Sequence, residues 1–190
     1  MLFFRYRCFA FALLAVAGLL PNWAYAQSKP GDKVVSVEVI ETADINIDKK
    51  DDVWVYFVET TDPANRNQTT KKLVKKEADL NFDGKKDVVR LYDTKEQLSE
   101  ETADLDFDGK KDIHIVWKNG VVQVKDFYHS HKELVFIRKI YVEGKLGELR
   151  RDEDMDGVFD YCELWQEGLR VRQVGRDLTG DGECDTWEAR

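Results

Sequence analysis

A nine-residue acidic segment recurs along this chain, and its spacing restricts the available folds more than any other feature. Four copies are plain: Asp79-Leu80-Asn81-Phe82-Asp83-Gly84-Lys85-Lys86-Asp87, Asp104-Leu105-Asp106-Phe107-Asp108-Gly109-Lys110-Lys111-Asp112, Asp152-Glu153-Asp154-Met155-Asp156-Gly157-Val158-Phe159-Asp160 and Asp177-Leu178-Thr179-Gly180-Asp181-Gly182-Glu183-Cys184-Asp185. Numbered from its first aspartate, each copy has oxygen-bearing side chains at alternate positions, glycine at six and a carboxylate at nine. The repeat continues past the acids. Position ten opens a β-type run in the first three copies, and position fourteen is aromatic in each: Tyr92, Trp117 and Trp165. A fifth copy, 44–52, has Lys49 in place of the glycine and Phe57 at position fourteen. If position six needs positive φ, that lysine costs about 1 kcal/mol, so this loop is expected to bind weakly or not at all.

The intervals define an architecture. Asp79 to Asp104 and Asp152 to Asp177 both span 25 residues, room for a strand, a turn and a return strand. Asn119-Gly120 is a strong hairpin signal, and Glu143-Gly144 and Glu167-Gly168 have the same form. Asp104 to Asp152 is 48 residues, about two periods, which predicts a decayed unit near 129–133. Residues 34–40 read as a further strand, and 60–70, with Asp62-Pro63, as an exposed loop. The expected fold is mainly β, an antiparallel meander of strand–loop–strand units. An alternative for the C-terminal part is a helical pair, since 160–166 can also be read as helix.

The loop pattern suits a hard cation. Ca²⁺ takes six to eight oxygens, with side chains at positions one, three and five, a backbone carbonyl at seven and a further oxygen at nine. That assigns Asp79, Asn81, Asp83, the Lys85 carbonyl and Asp87 to one site. Asp104, Asp106, Asp108, the Lys110 carbonyl and Asp112 form a second. The third is Asp152, Asp154, Asp156, the Val158 carbonyl and Asp160. The fourth is Asp177, Thr179, Asp181, the Glu183 carbonyl and Asp185. Glu163 and Glu188 stand at position twelve of the last two, where a bidentate glutamate completes the full pattern. Mg²⁺ is the less suited ion, because it keeps its waters.

The loops resemble the D-x-D-x-D-G calcium loops of EF-hands, dockerins, thrombospondin type 3 repeats and the calcium-binding β-repeats of exported bacterial proteins. The strand after each loop matches the β-repeat relatives best. That resemblance implies calcium binding that stiffens extracellular structure.

Arg5 and Arg7, the apolar run 8–20 and Ala24-Tyr25-Ala26 form an export signal, so residues 1–26 are expected to be removed and 27–190 to form one calcium-loop β-repeat domain outside the cytoplasm, periplasmic or extracellular. No membrane span is expected after cleavage. The leader holds two of the 29 basic residues and none of the 37 acids, so the remainder is strongly acidic and nucleic acid is a poor partner. The lysine pairs, among them Lys71-Lys72, Lys75-Lys76, Lys85-Lys86 and Lys110-Lys111, read as solvated surface. Cys162 and Cys184 form an even pair in an exported chain, which favours a disulfide. His129-Ser130-His131 is a weak transition-metal pattern, and no nucleophile elbow, metalloprotease helix or phosphate loop occurs. The expected function is that of a non-catalytic structural or adhesive calcium-binding protein meeting an envelope or extracellular protein. The alternative is a calcium-stabilised module for a ligand such as a glycan. Trp54, Trp117, Trp165 and Trp187 fall in strand-like segments and are expected to pack in a core; exposed tryptophans in a row would favour the second reading, and buried ones the first.

Overall fold

Runs of β-branched and aromatic residues favour extended backbone, and each acidic loop is followed by one. The computed structural model describes Arg5–Tyr6 and residues 35–61, 69–129 and 131–190. Its strands are β1 (Arg5–Tyr6), β2 (Val35–Ala43), β3 (Val53–Thr61), β4 (Thr69–Ala78), β5 (Val88–Tyr92), β6 (Leu98–Ala103), β7 (Ile113–Lys118), β8 (Val121–His129), β9 (Leu134–Val142), β10 (Lys145–Arg151), β11 (Tyr161–Gln166), β12 (Arg170–Arg176) and β13 (Thr186–Ala189). They lie side by side in sequence order, all antiparallel, in one sheet. Of the expected leader 1–26, only β1 falls among the described residues. The expected loop 60–70 is strand as far as Thr61 and from Thr69, with 62–68 outside them.

The helical alternative for the C-terminal part is overturned. No helix occurs among the described residues, and 161–166 is strand β11, laddered to β10 on one side and β12 on the other. The Asp160 N–H donates to the Arg151 carbonyl, holding the two ends of the loop side by side. An EF-hand needs ends that diverge as helices; here two neighbouring strands claim the backbone groups of 161–166.

Reversals alternate along the meander. Every even-numbered strand from β2 to β12 ends at one edge of the sheet. That edge carries the five acidic loops and, in the fourth place, the turn after β8, where the decayed unit was expected. At the opposite edge the reversals after β7, β9 and β11 are tight turns. Asn119 and Gly120 have φ of 52° and 75°, and Glu143 and Gly144 have 51° and 79°, as a type I′ turn demands. Glu167 and Gly168 share the geometry, with Leu169 added before β12. Successive loops are two strand spacings apart, about 10 Å.

Among the described residues each strand touches only its sheet neighbours, so the sheet is a single layer. The buried set shows the consequence. Among the described residues only Ala103, Ile115, Leu149 and Cys162 are buried apolar residues, against six buried aspartates: Asp52, Asp79, Asp87, Asp104, Asp126 and Asp152. Five of the six stand at position one or nine of a loop. The expected packing of tryptophans in a core does not occur, because a single layer has no interior: Trp54, Trp117 and Trp165 are half-buried and Trp187 is exposed.

Cross-strand pairs replace a core. In the hairpins β3–β4, β5–β6, β7–β8 and β11–β12 the register slips immediately before the position-fourteen aromatic. The return strand carries one extra residue there, a β-bulge. Past the slip, Phe57 faces Leu73, Tyr92 faces Leu98, Trp117 faces Val122 and Trp165 faces Val171. The lysines then roof the rings. Lys75 Nζ lies 3.9 Å above Tyr56, Lys71 Nζ 4.1 Å above Phe57 and Lys111 Nζ 4.2 Å above Tyr128, while Lys86 covers Trp54. The lysine pairs therefore do more than solvate the surface: their stems shield rings that no second layer of the described residues covers.

Candidate metal centre

Each loop is closed by its own carboxylates. In loop 104–112, Asp112 Oδ2 accepts from the N–H groups of Leu105 (2.6 Å) and Asp106 (3.2 Å). Asp104 Oδ2 accepts from Gly109 N–H at 2.7 Å, Asp106 Oδ1 from Asp108 N–H at 3.2 Å and Asp108 Oδ1 from Lys110 N–H at 2.8 Å. Loop 152–160 repeats the scheme: Asp160 takes Glu153 N–H, Asp152 takes Met155 and Gly157, Asp154 takes Asp156, and Asp156 takes Val158. Loop 79–87 does so through Asp79, Asn81, Asp83 and Asp87, and loop 177–185 through Asp177, Asp181 and Asp185. Neighbouring loops are also linked, since Asp79 N–H donates to Asp52 O, Asp104 to Asp87 O and Asp177 to Asp160 O.

Two positions of each loop are left-handed. Position six has φ of 78° at Lys49, 91° at Gly84 and Gly109, 99° at Gly157 and 85° at Gly182, so Lys49 sits in the strained place expected of it. Position four, which sequence reading missed, is left-handed too: Ile47 (65°), Phe82 (66°), Phe107 (64°) and Met155 (63°), with Gly180 (75°) in the last copy. That one glycine was the available signal.

The inward oxygens converge in two loops. One carboxylate oxygen from each of Asp104, Asp106 and Asp108 lies within 4.8 Å of the other two, and the same holds for Asp152, Asp154 and Asp156. With Ca–O distances of about 2.3–2.6 Å, oxygens sharing one calcium ion stand at most about 5 Å apart. Both trios therefore fit a metal ion. Asp104 is 6% exposed, and its Oδ1 is buried with no hydrogen-bond partner among the described residues. A buried carboxylate oxygen left in that state is costly unless a cation meets it.

The remaining predicted ligands are placed as follows. Loops 79–87 and 177–185 carry Asn81 and Thr179 at position three, so they present fewer carboxylates. Asp87, Asp112, Asp160 and Asp185 each use Oδ2 to close the loop. Lys85, Lys110, Val158 and Glu183 stand at the carbonyl position, and the Glu183 carboxylate holds Arg150 in a bidentate pair. Glu163 lies on β11 outside the trios; its oxygens accept from Tyr161 Oη (2.9 Å) and Trp165 Nε1 (3.0 Å). Glu188 is exposed on β13 opposite Val174. His129 and His131 meet edge to face at 5.7 Å, in no acidic trio.

Electrostatics separates the loops. Asp154 is held above the usual carboxylate range by desolvation first, then by the charges of Asp156, Asp160 and Asp152. Asp83 is held below it, chiefly by the Lys85 N–H. At Asp177 desolvation is the largest contribution and raises the value, but the N–H groups of Gly182, Gly180 and Thr179 together outweigh it. That last loop is also stapled covalently. Cys162 of β11 and Cys184 of the loop form the expected disulfide, with Cα atoms 6.3 Å apart. The bridge passes Gly175 of β12, where a Cβ would lie 2.8 Å from Thr186 O and 3.0 Å from Cys184 Cβ. A cleft between loops 79–87 and 104–112, lined by Lys86, Asp87, Thr102 and Asp104, has a volume of about 80 Å³, well short of a small-molecule site. No protein-family model, curated protein or solved structure matches the chain.

Proposed function

We infer that this is a non-catalytic, exported calcium-binding repeat protein with a structural or adhesive role, whose acidic loops stiffen one edge of an otherwise coreless sheet. The observation that carries this is Asp104, buried within a carboxylate trio with one oxygen lacking a hydrogen-bond partner among the described residues. Both trios offer oxygen alone, which suits Ca²⁺ rather than a soft transition metal. The disulfide supports an oxidising compartment. The tryptophans favour the structural reading over a glycan module. Trp54 is covered by Lys86, Trp165 is tied to Glu163 and the Trp117 Nε1 is buried; Trp187 alone among the described tryptophans is exposed, so they form no exposed row.

Extracellular calcium modules bind with Kd of about 10⁻⁴–10⁻³ M. At a free concentration tenfold above Kd, one site adds about 1.4 kcal/mol to stability. In a sheet without a core, that is a substantial part of a net stability of about 5–15 kcal/mol. Thermal melting with chelator and with millimolar Ca²⁺ tests the reading: the melting temperature rises with calcium, and an unchanged value rejects it.

A further inference from the structure

The two ends of the sheet are finished differently. β13, at one end, is four residues long and exposed throughout. β2, towards the other, is nine residues long and stays in register with β3 over nine pairs without a slip. Outermost strands are kept from pairing by shortness, bulges, proline and lysine. β2 has none of these. It reads Val-Ser-Val-Glu-Val-Ile-Glu-Thr-Ala, and one of its two charges, Glu41, is already held by Lys71 across β3. On its outer side, among the described residues, lies only β1, with Arg5 opposite Thr42 and Tyr6 opposite Glu41. Both β1 residues fall in the expected leader, and 35–40 have no ladder partner on that side. Backbone N–H and C=O groups repeating at strand spacing are met by another strand, so the chemistry of this side selects its occupant.

We propose that, once the leader is gone, β2 pairs antiparallel with β2 of a second copy, joining two sheets into one about a two-fold axis at Val39. Val39 is the middle residue of Val35–Ala43, so this register pairs the whole strand. It sets Glu38 opposite Ile40 and Glu41 opposite Val37, with no like charges facing. An axis at Glu38 or Glu41 would instead put two carboxylates opposite each other, which is unfavourable. Val39 stands opposite Phe57 in the β2–β3 ladder, so the row across the junction reads Phe57, Val39, Val39, Phe57. That is an apolar cross-strand row of the kind that holds the rest of this sheet together. Charge also selects the direction. An antiparallel junction sends the two rows of acidic loops to opposite edges of the joined sheet. A parallel one would bring the two 44–52 loops together, each with four aspartates against two lysines. Pairing of β2 with β13 of another copy would use only the four residues of β13 and would keep every acidic loop on one edge. A symmetric pair that closes on itself satisfies both outer sides of β2 at once. Calcium plays no part in this junction.

Sedimentation velocity on the chain as recovered from producing cells, at rising concentration, reads the mass. The wild type is expected to pass from one copy to two and to stop there. Because residue 39 meets residue 39, Val39→Lys and Val39→Glu each set like charges opposite one another. Each is expected to weaken pairing by about tenfold, and an equal mixture of the two to restore it. Val39→Cys, close to valine in size, keeps the test decisive where a charged variant fails to fold. Antiparallel partners have Cα atoms about 4.5–5.5 Å apart, within reach of a disulfide, so oxidation should link two chains. Ala189→Cys on β13 should stay single under the same conditions. A single-copy mass at every concentration overturns the proposal, whether or not residues 1–26 are still attached. So does growth beyond two copies, the mark of β2 meeting β13 head to tail. A mixture that pairs no better than its separate variants, or a Val39→Cys chain that oxidation leaves single, overturns it as well.

Discussion

The two edges of the sheet reverse the same chain in different ways. At one edge Asn119-Gly120 and Glu143-Gly144 turn the chain with two residues each. At the other, apart from the turn after β8, nine-residue loops do it, burying aspartates and holding bulky residues in left-handed backbone. Since two residues suffice for reversal, the extra length, the buried carboxylates and the strain belong to something beyond chain connection. The hydrogen bonds show one part of it: first and ninth aspartates gather backbone N–H groups that no β-ladder can reach. The convergent oxygens of Asp104, Asp106 and Asp108 fit another, the holding of a metal ion.

The largest expected effect falls on the loop edge. Reducing Cys162–Cys184 opens a bridge of sequence separation 22 and should cost about 3 kcal/mol, read as a fall in the urea midpoint. Asp104→Ala comes next. It orphans the Gly109 N–H and removes a proposed metal ligand, for a loss of about 1–3 kcal/mol that on the calcium reading grows when calcium is present. Asn119→Ala, its counterpart on the tight-turn edge, should cost about 1 kcal/mol with no calcium dependence. If both respond alike to calcium, the distinction between the edges fails. Lys49→Gly should gain about 1 kcal/mol by relieving position six of the first loop. Within the loop edge, Asp108→Ala should harm calcium binding more than Asp48→Ala, and equal calorimetric effects would break that ranking.

The smallest effects are in acid. The Glu77 carboxyl is desolvated, the largest single contribution and a raising one, but hydrogen bonds from Lys75 (2.9 Å) and Tyr56 (2.7 Å) and the charges of Lys75 and Lys86 outweigh it and hold it low. Its stabilisation is complete above the ordinary 4.5 and disappears as pH falls through the lowered folded value, so Glu77→Gln should flatten the acid side of a stability profile. Asp154 has the opposite sign. Its folded value is raised, so in chelator stability declines as pH climbs past the ordinary 3.8, and Asp154→Asn should remove that slope. Profiles in chelator that show neither change would contradict the electrostatic contrast between sheet face and loop.

Much of this was legible in the sequence because it is written in local chemistry. The acidic register, the I′ turns at Asn119 and Glu143, the cysteine pair and the strained Lys49 follow from residue type and spacing. The single layer was not, because rows such as Val53, Ala78, Val88, Ala103 and Ile113 look like the face of a core, and nothing local says that no second layer covers them. The run 160–166 allowed a helix because seven residues carry too little periodicity to decide; only the partners β10 and β12 do. Position four stayed hidden because bulky Ile47, Phe82 and Phe107 conceal a requirement that Gly180 alone reveals.

The central claim is that the aspartates at these bends cage calcium. Calorimetric titration of the chain with Ca²⁺ and Mg²⁺ tests it most directly. The account predicts saturable calcium binding, weaker with magnesium and reduced at separate sites by Asp106→Asn and Asp154→Asn. Heats no different from buffer dilution for both ions, or binding that survives the loss of both trios, would contradict it.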